Sequence, residues 1–267
     1  MQQEGNLQTL DTFKKLLDIM NDLRAQCPWD KKQTLESLRN LTIEETYELA
    51  DAILERDGDE IKKELGDILL HIVFYSKIGA ENDWFTINDV MESLNQKLIY
   101  RHPHIYGDTK AQSATEVEEN WEALKLKEKG RKKRVLEGVP KSLPALVKAN
   151  RIQQKVRGVG FDWTEREQVW GKVDEELREV KDEIAQKNSH EDIEAEFGDL
   201  FFSLINAARL YDIDPETALE RTNKKFMQRF NYLESQTLQK GKDLHKMSLE
   251  EMDVIWEEAK QFDKKNH

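Results

Sequence analysis

Apolar residues recur along this chain at helical spacing. From Glu194 to Leu210, "EAEFGDLFFSLINAARL" sets Phe197, Leu200, Phe201, Leu204, Ile205 and Ala208 at i, i+3, i+4, i+7, i+8 and i+11. That is the stripe of a helix with one buried face. Earlier, "KKELGDILLHIVFYSKI" repeats the pattern with Leu65, Ile68, Leu69, Ile72 and Val73. Both stripes carry carboxylates beside them, Glu64 and Asp67 in one and Glu196 and Asp199 in the other. No segment alternates apolar and polar residues between hairpin turns, so the pattern predicts an all-α fold. The expected helices lie near 10–25, 34–56, 59–80, 87–101 and 116–129, then near 143–157, 165–187, 191–211, 215–238 and 249–263. Start signals support several of them. Asp214 precedes Pro215 as an N-cap before a first-turn proline, and Thr115…Glu118 and Ser248…Glu251 have capping-box spacing.

The two halves repeat each other. "EETYEL" at Glu44–Leu49 returns as "EELREV" at Glu175–Val180, and "ELGD" at Glu64–Asp67 as "EFGD" at Glu196–Asp199. "NQKLIYR" at Asn95–Arg101 returns as "NKKFMQR" at Asn223–Arg229, and a Trp follows each, Trp121 and Trp256. Ile19, Leu23 and Arg24 answer to Ile152, Val156 and Arg157. The period is about half the chain, which means a duplicated domain and not a solenoid. The reading is two tandem helical bundles of about five helices each, over 1–130 and 142–267. Between them "EKGRKKRVLEGVPKSLP" combines a basic cluster with two glycines and two prolines. We read a solvated linker there, centred on 131–141, in preference to a docking patch.

Charge narrows the partners. With 41 Lys and Arg against 53 Asp and Glu, the net charge is −12. This argues against a general nucleic-acid or anionic-membrane surface, and an acidic protein that binds a phosphate compound needs a cation between them. The single cysteine, Cys27, permits no internal disulfide and fits a reducing compartment. No run approaches the ~18 apolar residues of a membrane helix. The first residues, "MQQEGNLQTLDTF", lack the charged-then-apolar pattern of a secretory signal, so a cytoplasmic location is expected.

Positions three apart share a helical face, so Glu176 pairs with Glu179 and Glu196 with Asp199. The short break "QKNSHED" between the pairs suits an antiparallel helix hairpin that brings them face to face. Glu45, Glu48, Glu64 and Asp67 repeat the arrangement around "ERDGDE". Clustered carboxylates repel and are costly to desolvate, and a divalent cation relieves both. An all-oxygen set favours Mg²⁺, Mn²⁺ or Ca²⁺ over zinc, and a site that bridges to phosphates suits Mg²⁺, with Mn²⁺ as a substitute. A lone ExxE is usually a solvated acidic face; the recurrence of both pairs in both halves favours a metal centre. A di-iron bundle would need Glu-x-x-His, and here the last position is Asp. His71 lies one turn beyond Asp67, but Ser203 takes its place in the second half, which suits a locally bonded histidine better than a ligand. No Ser-His-Asp set or glycine-rich phosphate loop can be assembled.

Lys225 and Arg229 lie four apart on one face, as do Lys97 and Arg101, and such pairs can grip phosphate oxygens. Trp256 and Trp121 offer flat surfaces to a base. The order EExxE, ExxD, NxKxxxR, Trp, written twice, resembles the two-domain MazG-type nucleoside triphosphate pyrophosphohydrolases of the all-α pyrophosphatase superfamily. The phrases "CPWD", "RHPH", "SLPAL" and "VGFDW" extend the likeness over nearly the whole chain. The resemblance implies Mg²⁺-dependent hydrolysis of an NTP to the NMP and pyrophosphate, by a homodimer. It assigns the metal to Glu176, Glu179, Glu196 and Asp199, and nucleotide contacts to Lys172, Lys225, Arg229 and Trp256. Glu175 is the first candidate to orient or deprotonate the attacking water. A nucleotide-sensing module without turnover is the rival reading. Lys172 stands one turn before the second EExxE, where the first half has Leu41. That difference favours the C-terminal copy as the hydrolytic one.

Overall fold

The computed structural model describes residues 2–108, 113, 117, 124 and 134–263. Every regular element among them is helical. The chain divides into two compact units, Met1–Trp121 and Glu122–His267.

The first unit is built from α1 (Gln2–Gln26), α2 (Leu35–Glu55), α3 (Gly58–Glu81), α4 (Ile87–Arg101) and the short α5 (Pro103–Tyr106). The second has α6 (Ala145–Arg157), α7 (Val169–Gln186), α8 (His190–Leu210), α9 (Pro215–Gln239) and α10 (Leu249–Asp263). The expected helix over 116–129, its Thr115…Glu118 cap and Trp121 lie outside the described residues, apart from Val117 and Leu124. Three bounds differ from the sequence pattern. α1 begins well before residue 10, in a polar stretch without a cap signal. α7 starts at Val169 because Arg166–Gln168 forms a 3₁₀ turn instead. α5 is an extra turn opened by Pro103 at its first position.

Local chemistry fixes the ends. The Asp214 side chain accepts from the Thr217 amide ahead of Pro215, and Ser248 and Glu251 exchange both bonds of a capping box. Each unit contains one long antiparallel hairpin, α2–α3 and α7–α8. Its turn is made alike both times. A residue in the left-handed region, Arg56 (φ 57°) or Lys187 (φ 57°), ends the first helix. A side-chain N-cap, Asp57 or Ser189, starts the second.

The two cores are filled differently. Met20, Leu38, Val73, Phe74 and Ile78 pack together in the first, with Leu41 against them. Val169, Val173, Val180, Leu200 and Ala207, with Leu210 against them, form a core cluster of the second. The apolar stripe of α8 divides: Leu200 and Ile205 are buried, whereas Phe197, Phe201 and Leu204 are exposed. α3 divides at the matching positions, with Val73 buried and Leu65, Leu69 and Ile72 exposed. Each hairpin therefore carries a second apolar face that its own unit leaves uncovered.

Candidate metal centre

The capped turns set the register of each hairpin, and the register sets the carboxylates. In the second unit α7 supplies Glu176 and Glu179, and α8 supplies Glu196 and Asp199. Oxygens of Glu176, Glu196 and Asp199 all lie within 4.8 Å of one another. Glu176 is 5% exposed, and Lys172 donates to it at 2.6 Å and to Glu175 at 3.0 Å. Glu179 is exposed beside this group. Desolvation, then its contact with Glu176 and the charges of Glu176, Glu196 and Glu175, hold its carboxyl above the usual range. Glu196 is raised too, first by desolvation and then by Asp199, Glu176 and Glu183, against the opposing pull of Lys172. A site that makes its own carboxylates hard to ionise is short of positive charge. One lysine does not correct this, and a hard divalent cation on the same oxygens would.

In the first unit the close group, again within 4.8 Å, is Glu45, Glu48 and Glu64: Glu48, the counterpart of Glu179, is in it and Asp67, the counterpart of Asp199, is not. Desolvation, followed by Asp67, Glu48 and Glu64, raises the Glu45 carboxyl. Here the buried member is Glu64, 2% exposed. Its Oε1 accepts from Lys63 at 2.8 Å and its Oε2 has no hydrogen-bond partner. Sequence reasoning passed over Lys63 because Ala195 stands opposite it, so the repeat gave no signal. Leu41, where Lys172 has its counterpart, packs against the core. A cation does reach the first cluster, from the facing helix. The charge difference expected from Leu41 is therefore smaller than the sequence suggested.

His71 is buried, packs edge-on to Tyr75 at 6.3 Å between ring centroids, and leaves Nδ1 without a partner. The local bond expected for it is not formed at that atom. Burial lowers its pKa, with Asp67 opposing. It stands outside the close carboxylate group.

The basic and aromatic residues gather on α9 and α10. The Arg229 guanidinium lies 5.9 Å from the Trp256 ring centroid, Phe226 is 5.0 Å from the same ring, and Phe230 stacks on Phe226. Lys225, on the same helix, is exposed. Glu175 is exposed and paired with Lys172. Of the first unit's basic pair, Arg101 is buried and Lys97 exposed.

A duplicated all-α bundle with carboxylates clustered across each hairpin is the class of protein that the fold and the site define. The MazG nucleotide pyrophosphohydrolase domain matches residues 33–106 and 165–233, which contain both hairpins. The chain is 44% identical over 251 residues to the nucleoside triphosphate pyrophosphohydrolase/pyrophosphatase MazG of Thermotoga maritima, covering 93% of this chain and 95% of that one. It is 39% identical over 257 residues to the nucleoside triphosphate pyrophosphohydrolase of Escherichia coli K12, covering 94% and 98%. The uncharacterized protein YabN of Bacillus subtilis is 44% identical over 257 residues, but the match spans 53% of that longer chain. The chain belongs to the MazG family.

Proposed function

We propose that the protein hydrolyses nucleoside triphosphates, ribo or deoxyribo, to the monophosphate and pyrophosphate, as a Mg²⁺-dependent enzyme of nucleotide-pool housekeeping. The observation that carries this is the C-terminal group of Glu176, Glu196 and Asp199, within 4.8 Å and with Glu179 at its edge. It fits a hard cation: every donor is a carboxylate oxygen, and the group's own repulsion is otherwise unrelieved. Mg²⁺, or Mn²⁺ in its place, would supply charge neutralisation for the triphosphate and for the leaving pyrophosphate. The protein's own groups do the rest. Lys172, its side chain 41% exposed, pairs with Glu176 and Glu175 and offers donors to a phosphate oxygen. Glu175, held at 3.0 Å by Lys172, is released to the attacking water when that lysine turns to phosphate. Lys225 and Arg229 offer further cationic contacts, and Trp256, flanked by Phe226 and Arg229, offers a face to the base. The N-terminal quartet, Glu45, Glu48, Glu64 and Asp67, is a second metal site, and the C-terminal unit is the principal catalyst.

The uncovered stripes suit a homodimer. Leu65, Leu69 and Ile72 on α3 and Phe197, Phe201 and Leu204 on α8 occupy matching positions beside the carboxylates. A second copy could cover such a face on each unit. No described helix is long and apolar enough to cross a membrane. The net charge of −12 disfavours nucleic-acid partners, and a cytoplasmic location suits the single free cysteine.

The test is the product. With Mg²⁺ and an NTP panel, ³¹P NMR should show pyrophosphate and NMP from the first turnover, and chelator should stop it. Orthophosphate as the first product would refute the reading. Tight nucleotide binding without any product would favour the sensing module.

A further inference from the structure

The repeat keeps the acidic quartet but moves its buried member. In the second unit the buried carboxylate is Glu176 on α7, in the first it is Glu64 on α3, the opposite arm of the hairpin. The lysine moves with it. Lys172 reaches Glu176 from one turn earlier on α7, and Lys63 reaches Glu64 from the neighbouring position on α3. Neither lysine has a counterpart in the other unit, where Leu41 and Ala195 stand instead. Each cluster has thus acquired one lysine on its most desolvated carboxylate, from a different helix.

Lys63 leaves Glu64 only half satisfied. Nζ takes Oε1 at 2.8 Å, while the enclosed Oε2 receives no donor; the Glu64 carboxylate lies within 4.8 Å of Glu45 and Glu48 and in side-chain contact with Glu45. An enclosed carboxylate oxygen without a donor is costly, and a cation at the cluster is the group that would satisfy it. Lys63 itself is 60% exposed, and its ammonium also pairs with the exposed Glu60 at 3.4 Å. A lysine held between a buried and a solvated acid can turn to an anion once a metal takes over the buried one.

Resting on the reading of the quartets as metal sites, we propose that Lys63 is the phosphate-binding lysine of a second site in the N-terminal unit. That site takes a metal-chelated polyphosphate, either a nucleoside triphosphate or free pyrophosphate. Without ligand, Lys63 occupies Glu64 and competes with the metal. With ligand, it moves to a phosphate oxygen. Its removal therefore has two effects of opposite sign: metal alone binds more tightly, and polyphosphate binds more weakly. A lysine that merely supported the helix would shift both the same way or neither.

The experiment uses the full chain carrying Glu196→Gln and Asp199→Asn, which silences the C-terminal quartet. Mn²⁺ binding is followed by EPR, and inorganic pyrophosphate and a non-hydrolysable NTP analogue are titrated calorimetrically with Mn²⁺ present. One set of Mn²⁺ sites should remain. Adding Lys63→Met should tighten Mn²⁺ alone by about threefold or more and weaken pyrophosphate by about tenfold, the scale of one charge-assisted contact. Lys63→Arg should restore much of the pyrophosphate affinity. Equal binding of pyrophosphate and analogue identifies the phosphates as the recognised part, and stronger binding of the analogue adds a base contact; either supports the site. Loss of all Mn²⁺ binding in the silenced chain, with native circular dichroism, would overturn the proposal. So would Lys63→Met changing neither affinity, or both in one direction. If the wild type released no pyrophosphate, the catalytic reading would fail while these binding results stood on their own.

Discussion

The two hairpins share their turns, their caps and four carboxylates, yet differ in where the charge is buried. The N-terminal unit encloses Glu64 and packs Leu41, Met20 and Phe74 into its core. The C-terminal unit encloses Glu176 and places Asn150 and Gln153 on its first helix where the other has Leu17 and Met20. Gln153 donates to the Phe202 carbonyl at 2.8 Å, one turn beyond Asp199, but its Oε1 and the Asn150 Oδ1 have no partner. Duplication has therefore preserved the positions of charge and left their desolvation to packing. A buried carboxylate needs a counterion, so a lysine has appeared wherever packing placed the burden.

Several measurements would break or sharpen this comparison. The largest effect is expected at the exposed stripes. Phe201→Asp or Leu69→Asp puts a charge in a face that a second copy would cover, and the dimer dissociation constant should rise by about 100-fold or more, seen by analytical ultracentrifugation. An unchanged assembly would place the contact elsewhere. Next comes Lys172→Met, which should cut kcat/KM for pyrophosphate release by about 10- to 100-fold, within the range of one electrostatic group aimed at developing charge. Lys63→Met should cost clearly less than Lys172→Met, because it acts at the other quartet. Equal losses from both lysines would mean that the two sites work as one.

Proton linkage gives a smaller effect with a definite sign. Glu196 and Glu179 are raised above the ordinary carboxylate value of 4.5. Without metal, the stability tied to their protonation is present below that value and is lost as pH rises through their raised range. A cation stabilises the ionised forms, so the gain in melting temperature on adding Mg²⁺ should grow as pH rises above about 4.5. A gain independent of pH would show that these carboxylates do not hold the ion. The smallest effect is Gln153→Met, which copies Met20. It removes an unpartnered buried oxygen at the loss of one hydrogen bond and should stabilise the protein by ~1 kcal/mol in denaturant unfolding. Destabilisation instead would show that Oε1 is satisfied in solution.

Much of this was legible in the sequence. Helix stripes, the caps at Asp214 and Ser248, and the ExxE and ExxD spacing depend on local periodicity, and the structure brings three of each four carboxylates together across the hairpin, leaving Asp67 and Glu179 outside the close groups. Which carboxylate is enclosed was not legible, because that depends on the rotation of each helix against its neighbours. Lys63 escaped for a related reason. Comparing the copies selects residues that recur, and its partner position holds Ala195. The stripe of α8 read as wholly buried because Phe197 and Phe201 are as apolar as Leu200, and periodicity does not say which partner covers them. The polar opening of α1 has no apolar stripe, so nothing in its pattern marked a start at Gln2.

The central claim, two metal quartets of which the C-terminal one is the catalyst, is tested most directly by Mg²⁺-dependent pyrophosphate release from three folded full-length proteins measured side by side. Wild type should be active. Glu196→Gln/Asp199→Asn should lose at least ~100-fold, as expected when metal ligands lose their charge. Glu48→Gln/Glu64→Gln should keep most of the rate. The reverse order, with the N-terminal variant inactive and the C-terminal variant near wild type, would contradict the account.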